Sequence, residues 1–381
     1  MRRSEPRRAP PIIDGAYVDE LRAIAATHGI SRTGVAPADV MHRARTEIVR
    51  RRDAGLHDGM KFTYKNPDRS TDPGRAVTGA RAVFVGARPY LLDAAAGEPI
   101  GPEAVPARVA RYAWTDHYVP LREGLWAVAN RLRSDGWKAV AFADDNSMVD
   151  REIAYRAGLG WFGKNANLLL EGAGSFFVLG SVVTDAPLPV QAEPAADGCG
   201  TCRRCIDGCP TGAIIDSGVI DAGKCLAWLL QKPGVFPRQF RVALGDRIYG
   251  CDDCQEVCPP TVRLGATRAA GEAPAGMPVE PWIDALELLE ALDHDVLSRW
   301  RRWYLTDRDP RWHRRNALIV VGNSGRDRDA RVSAVLSRYL AHDDPVLRGH
   351  AVWAARLLGR PDLLPLSDVD VDVQVELSAP L

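Results

Sequence analysis

The chain has 381 residues, 46% of them hydrophobic and 26% charged, with 49 Lys+Arg against 49 Asp+Glu. That is the make-up of a folded protein long enough for two or three cores, and it excludes a disordered or low-complexity chain. The formal charge of zero gives no reason by itself to expect a polyanion partner, and no apolar run reaches the ~20 residues that span a bilayer.

Residues 1–11 carry arginines but no apolar core, so they read as a frayed tail and not as a secretory leader. Val18, Leu21, Ile24 and Ala25 recur at helical spacing and Gly29 stands where a cap would, which predicts a helix over 18–28; another is predicted over 40–52. Residues 59–73, polar and broken by Pro67 and Pro73, read as a loop. The apolar, β-branched run 82–87 predicts a buried strand. The stretch 93–107, rich in Ala, Gly and Pro, reads as a surface loop. A helix over 121–133, ended by Gly136, leads to a second buried strand over 138–143. That strand runs into Asp144-Asp145-Asn146, and a helix over 148–157 follows with Ser147 as a candidate N-cap. Strand, acidic turn and helix is the layout that puts polar groups at the carboxyl edge of a sheet, where open α/β folds bind ligands. The plainer alternative is a turn-and-cap pair of aspartates. Gly158, Gly160 and Gly163 imitate the spacing of a dinucleotide loop, but a helix precedes them and a strand over 167–170 follows, which is the wrong context. A further strand is predicted over 175–185, and a Pro-rich linker over 187–198.

All eight cysteines follow. Cys199, Cys202, Cys205 and Cys209, with Pro210 after them, have the spacing C-x2-C-x2-C-x3-C-P of bacterial ferredoxins, in which three thiolates hold one [4Fe–4S] cube and the fourth reaches a second. Cys251, Cys254 and Cys258, with Pro259 after them, repeat the last three positions. The first position would fall at Ile248, which cannot ligate iron, and Cys225 is the cysteine left to replace it. One cluster then takes Cys199, Cys202, Cys205 and Cys258, and the other takes Cys225, Cys251, Cys254 and Cys209. Structural zinc is the alternative for paired C-x2-C units. A disulfide framework does not suit a chain of this size without a secretory leader, and reduced thiolates make the cytoplasm the expected location.

Residues 265–281 read as a second linker. A helical region is predicted from there to 358, with Ile283, Leu286, Leu289 and Leu292 at helical spacing. Asp309-Pro310 and Asp344-Pro345, about 35 residues apart, each open an apolar helix, an interval that suits a pair of HEAT-type repeats. Residues 299–331 hold ten Arg against four Asp, with Trp303, Tyr304 and Trp312 interleaved. Such a face suits phosphate contact and base stacking; otherwise it is a solvated face offset by the acidic tail, 362–381. That tail alternates Val and Asp over 369–373, as a strand would, or is unstructured.

The order of these pieces resembles one family over residues 17–358: epoxyqueuosine reductase, the cobalamin-dependent iron–sulfur enzymes of tRNA modification. The resemblance is carried by 150–165 (DREIAYRAGLGWFGKN), by Val183-Thr184-Asp185, by the cysteine run ending Cys209-Pro210-Thr211-Gly212-Ala213, and by 247–259 (RIYGCDDCQEVCP). Ala110-Arg111-Tyr112-Ala113, Arg315-Asn316-Ala317-Leu318-Ile319 and Gly322-Asn323-Ser324-Gly325 add to it. It implies a multidomain α/β (α+β) protein. The parts would be a disordered tail (1–16), an α/β cobalamin-binding catalytic domain (17–190), a ferredoxin-like two-[4Fe–4S] domain (191–264), a C-terminal all-α HEAT-like repeat domain for the tRNA anticodon stem-loop (282–360) and an acidic tail (361–381). Electrons from an external donor would pass singly through the clusters to non-covalently held cobalamin. The epoxide of the wobble base would lose its oxygen as water, giving the cyclopentene of queuosine, in a monomer with no membrane attachment.

The family's proton donor is an aspartate at a strand end, just before a Thr/Ser-Gly/Ala-Pro turn and the Asp/Glu-Arg that starts the next helix. Counted back from Asp150-Arg151, it matches Asp144. The turn here is Asp145-Asn146-Ser147, a departure that makes Asp145 a rival for the acid role. Opening an epoxide needs protonation of a poor alkoxide leaving group, which a carboxylic acid can do near neutral pH when burial raises its pKa. Arg69 stands near where the family sets a basic residue against the corrin's amide edge. Tyr112, Trp161, Lys164, Asn165 and Tyr249 lie in matching segments and are expected to line the cofactor, with ordinary packing as the alternative for each. Two competing readings are a related corrinoid iron–sulfur reductase, such as a reductive dehalogenase, and a ferredoxin-like electron carrier. The first leaves the Arg-rich repeats without a use, and the second leaves the long segment before the cysteines without one.

Overall fold

The computed structural model describes residues 12–92, 100–190, 193–265 and 273–380. The expected tail over 1–11, residues 93–99 of the expected surface loop, residues 191–192 of the first linker and the middle of the second lie outside these residues. Helix α1 (Gly15–Ala26) begins inside the expected tail: Asp14 accepts the Tyr17 N–H at 3.0 Å, and Tyr17, Val18, Leu21 and Ala25 turn inward. In chain order follow β1 (Arg32–Pro37), α2 (His42–Asp53), β2 (Ala82–Pro89), β3 (Pro106–Val109), α3 (Tyr118–Ser134), β4 (Ala139–Ala143), α4 (Asp150–Arg156), β5 (Gly160–Phe162), β6 (Leu168–Leu170) and β7 (Phe177–Thr184). The loop expected over 59–73 also contains two single turns of helix, Pro67–Ser70 and Pro73–Ala76, each capped by the residue before its proline.

The main sheet has the order β1-β2-β7-β4, and each neighbouring pair is antiparallel. Asp144 leaves the carboxyl end of β4, which is an antiparallel edge strand. Successive β2 residues alternate between two cores, as a pleated strand requires. Phe84 joins Leu21, Leu125 and Val182 on one face, while Val83 and Val85 join Ile153 and Val183 on the other. Full burial of a Leu such as Leu125 contributes about 1.5–3 kcal/mol. Gly180 lets α3 close on β7, since a Cβ there would stand 2.6 Å from Leu125 Cδ1. The Gly-rich loop is the hairpin β5–β6, in which Gly160 pairs with Leu170.

After β8 (Ile214–Asp216) and β9 (Val219–Ile220), β10 (Arg247–Tyr249) and β11 (Trp282–Asp284) flank β3 in a second sheet of order β10-β3-β11. Three segments expected in three domains thus share one sheet. They also share a core, in which Leu226, Phe236 and Ile248 pack with Val105, Leu286, Leu318 and Trp353. Strand β3 falls in the stretch read as a loop because Pro106 opens it, a place where a strand tolerates proline.

Helices α5 (Ala285–Glu290), α6 (Asp293–Arg299), α7 (Arg311–Asn323), α8 (Ala330–Leu340) and α9 (Pro345–Leu357) complete this part. Asp329 and Asp344 cap α8 and α9. The tail is neither strand nor unstructured: Asp370 caps a helix, α10 (Val371–Ser378), and Val373 is buried. Its acids do not offset the arginines of 299–331, because Asp368 pairs with Arg348 and Glu376 with Arg238 and Arg241. Among the described residues no helix is long and apolar enough to cross a membrane.

The Arg-rich run is mostly internal structure. Arg314, Arg315, Trp303 and Trp312 are buried. The Arg315 guanidinium lies 2.6 Å from the Lys232 carbonyl oxygen and 2.8 Å from those of Gly234 and Leu229. Arg299, Arg302, Arg311 and Arg331 are ion-paired to Glu280, Glu287, Asp309, Asp344, Asp284 and Glu290. Arg301, Tyr304 and Arg308 remain exposed.

Candidate active site and cysteine module

Asp144 follows β4 with a φ of +55°, a left-handed conformation that aspartate tolerates better than most side chains. The turn after it is tied down residue by residue. Asp145 Oδ1 accepts the Ser147 N–H at 2.7 Å, an Asx turn. Asn146 Oδ1 accepts the Thr63 N–H at 3.3 Å, and the Ser147 hydroxyl accepts from Arg69 Nη2 at 2.8 Å. The departure from the family's turn is thus a different set of fasteners. It engages the Asp145 carboxylate in the turn, whereas no described residue hydrogen-bonds the Asp144 carboxyl. Asp144 opens to solvent at the surface, yet the protein around it raises its pKa by desolvation, with Arg122 opposing and Asp116 and Asp145 adding to the rise.

A second carboxyl lies beside it. Asp150 opens α4, and its Oδ1 accepts the Ser181 hydroxyl at 3.1 Å. Burial pushes this carboxyl well above the usual carboxylate range, and the charges of Asp144 and Asp145 push the same way. Tyr118, at the start of α3, faces both Asp144 and Asp150 and is held neutral by burial. Sequence reasoning gave Asp150 and Tyr118 no role. An acid in the first turn of a helix reads as ordinary dipole chemistry, and only the strand register brings Ser181 to it.

Tyr249 connects this site to the cysteines. It is buried at the end of β10, two residues before Cys251, and its phenol feels the charge of Asp144. Its hydroxyl accepts the Tyr304 N–H at 2.6 Å, and its ring lies 6.0 Å from that of Tyr112. Gly250, between Tyr249 and Cys251, has a φ of +71°, and a Cβ there would stand 2.5 Å from Ala110 Cβ and 2.9 Å from the Tyr112 ring, so both its conformation and its neighbours call for glycine.

The remaining expected cofactor-lining residues meet the cysteine loops. Trp161 packs against Gly198, where a Cβ would stand 2.6 Å from its ring. Lys164 Nζ donates to the Gly200 carbonyl at 2.7 Å, and Asn165 Nδ2 donates to the Cys254 carbonyl at 3.1 Å. Arg69 holds the Asp144 turn through Ser147. Asp58 ties the neighbouring loop to the cysteine segment by accepting from Lys232 Nζ at 2.8 Å and Trp228 Nε1 at 3.0 Å.

The eight cysteines are all free thiols. Burial raises Cys258 to about 11 and Cys251 to about 12, and Cys205, Cys225 and Cys254 shift the same way. Beyond burial, the thiols influence one another in two sets. Cys258 feels Cys205, Cys199 and Cys202, whereas Cys254 feels Cys251, Cys225 and Cys209. These sets coincide with the two quartets read from the spacing. Among the described residues no three His, Cys, Asp or Glu side chains converge closely enough for a single metal ion. A hollow beside Cys251 is lined by Arg108, Arg111, Arg247, Trp114 and Glu256 and contains neither Asp144 nor Asp150.

Residues 198–261 match the family model described as a 4Fe-4S double cluster binding domain. Over 405 residues the chain is 31% identical to the epoxyqueuosine reductase of Burkholderia pseudomallei, covering 92% of this chain and 95% of that one. Among solved structures it superposes, with a TM-score of 0.84 and 25% identity, on the Bacillus subtilis epoxyqueuosine reductase with its aspartate-bearing catalytic loop swung out of the active site. It superposes with a TM-score of 0.85 and 25% identity on an epoxyqueuosine reductase with an epoxyqueuosine-modified tRNA-Tyr stem loop. Each superposition covers 95% of this chain and 97% of the other.

Proposed function

Since this chain belongs to the epoxyqueuosine reductase family of oxidoreductases, we propose that it reduces epoxyqueuosine to queuosine at the tRNA wobble position, with Asp144 as the proton donor. One [4Fe–4S] cluster is assigned to Cys199, Cys202, Cys205 and Cys258, and the other to Cys209, Cys225, Cys251 and Cys254; they would carry single electrons from an external donor. The observation that carries this reading is the meeting of acid and cysteine arm. Tyr249, two residues from Cys251, feels Asp144, and the Cys225 thiol feels Arg151, the neighbour of Asp150.

Cobalamin fits the walls around this meeting point by their chemistry. His57 Nδ1 and Arg51 Nε are buried without partners, Tyr64 beside them feels both Arg51 and Arg151, and the Asp144 carboxyl is unbonded. An amide-fringed corrin offers donors and acceptors to all of these. Bound cobalamin would supply low-valent cobalt as a nucleophile or one-electron donor. Tyr112 and Tyr249 would line it directly. Arg69 would act through the Asp144 turn, and Trp161, Lys164 and Asn165 through the cysteine loops they hold. Asp144 holds its proton toward higher pH than an ordinary carboxyl and would give it to the leaving epoxide oxygen, assistance of the kind that contributes ~10²–10⁴-fold.

The exposed Arg301, Tyr304 and Arg308 lie in one short segment, joined to Tyr249 through the Tyr304 backbone, and are suited to the phosphates and splayed bases of an anticodon stem-loop. The segment connects α6 to α7, within helices α5–α9 that would serve as HEAT-like repeats. The test is anaerobic incubation of cluster- and cobalamin-loaded protein with reduced viologen and epoxyqueuosine-containing tRNA. The modified nucleoside should lose the mass of one oxygen atom; unchanged nucleoside from fully loaded protein would overturn the reading.

A further inference from the structure

Removing an epoxide oxygen as water consumes two electrons and two protons: both C–O bonds break, a carbon–carbon π bond forms, and the oxygen leaves as H2O. On the reading above, on which this inference rests, the external donor supplies the electrons one at a time and Asp144 supplies a proton. Asp144 carries only one. A general acid must stand within ~2.6–3.2 Å of the oxygen it protonates, so the substrate itself covers the open face of Asp144 while the acid works. The other proton has to arrive from the protein side.

The structure holds a second carboxyl there. In the β4–β7 ladder Phe142 pairs with Ser181 and Ala143 with Gly180. Ser181 therefore lies across from the residue two before Asp144, and its hydroxyl is 3.1 Å from Asp150 Oδ1. That bond ties the Asp150 carboxyl to β7 at the level of the end of β4, the strand from which the Asp144 turn leaves. Tyr118, at the start of α3, is within electrostatic reach of both acids. We propose that Asp150 is the proton reserve of the site, a positioning residue that reloads Asp144 within one turnover. In the reloading step the Asp150 acid passes its proton to the Asp144 carboxylate, leaving Asp150 ionised and Asp144 protonated; water restores the Asp150 proton after product leaves.

The groups that face Asp150 favour this role. Asp144 and Asp145 from the turn and the surrounding burial hold its proton, while Arg151 on its own helix and the Ser181 hydroxyl oppose, and the net result is a carboxyl well above its ordinary range. Tyr118 stays a neutral phenol. Asp150 does not act as a helix cap, since α4 has no side-chain cap bond.

Two variants test this. Asp150→Asn keeps an acceptor for Ser181 and removes the proton; Asp150→Glu restores an acid. In single-turnover assays of the loaded enzyme, Asp150→Asn should be slowed ~10²-fold or more. Its rate should fall on the alkaline side with the slope of one proton, where wild type and Asp150→Glu show two. The cofactor-free protein gives an independent readout: its infrared spectrum at pH 7 should contain a protonated aspartate C=O band that Asp150→Asn lacks. Wild-type protein that leaves epoxyqueuosine intact fails the substrate reading. Wild type that converts it, with an Asp150→Asn variant equally fast and of the same slope, fails the proton reserve alone. An infrared spectrum unchanged by Asp150→Asn also overturns it, whether or not that variant binds its cofactors.

Discussion

Tyr249 lies flat on Trp303, with ring centroids 4.9 Å apart and planes 6° from parallel. The next residue, Tyr304, donates its backbone N–H to the Tyr249 hydroxyl, so two consecutive residues fix Tyr249 from its face and its edge. Trp303→Ala should cost about 3–5 kcal/mol in urea unfolding, because it empties a buried stack. Tyr249→Phe, which removes only the acceptor, should cost about 1 kcal/mol.

Asp144→Asn should retain both clusters and cobalamin by absorption and iron content, yet lose ~10²–10⁴-fold in turnover. The acid form is the active one, so the wild-type rate should decline as pH rises through the Asp144 pKa, at higher pH than an ordinary carboxyl would give. The same raised pKa sets a stability dependence. The folded state binds this proton more tightly than the unfolded state, so its contribution is full below the unfolded value and is lost as pH rises through the folded one. Asp144→Asn should therefore gain stability relative to wild type as pH is raised, in thermal unfolding followed across that window.

Cys225→Ser should leave one cluster intact and damage the other, taking iron from about eight toward about four per chain. Retention of all the iron would break the cross-ligated scheme, in which Cys225 belongs with Cys209, Cys251 and Cys254.

Arg69→Met separates a corrin contact from a turn fastener. With Ser147 released, turnover should fall while corrinoid affinity, measured by titration under reducing conditions, stays within about twofold. A parallel loss of affinity would return Arg69 to the corrin edge.

Arg315→Ala should destabilise the chain by about 3 kcal/mol or more, since it strands the buried carbonyl of Leu229 and the half-buried ones of Lys232 and Gly234 together. Equilibrium unfolding measures it, and a cost of only a few tenths of a kcal/mol would mean the guanidinium is as dispensable as a surface charge.

Three of the four strands of the main sheet were legible because runs such as 82–87 and 175–185 are β-branched and apolar on both faces, and the sheet buries both, whereas β1 lacks such a run and was not read. The double-cluster module was legible because iron ligation leaves a spacing in the chain. Three further features were not. Strand β3 hid in a Pro-rich stretch, since its partners β10 and β11 lie far along the sequence. The Arg-rich run looked like one surface because composition does not tell a guanidinium bonded to buried carbonyls from a solvated one. Asp150 looked like a helix-start acid because its bond to Ser181 is a matter of register between strands and not of local pattern.

Arg315 carries one more consequence. It fixes the carbonyls just after Cys225 from a helix some distance downstream in the chain. A nascent polypeptide still lacking α7 therefore holds the segment after Cys225 through Asp58, which bonds Trp228 and Lys232, but without the Arg315 clamp. On the proposed ligand scheme, the carbonyl network beside Cys225 is therefore complete only once the C-terminal helices have been made.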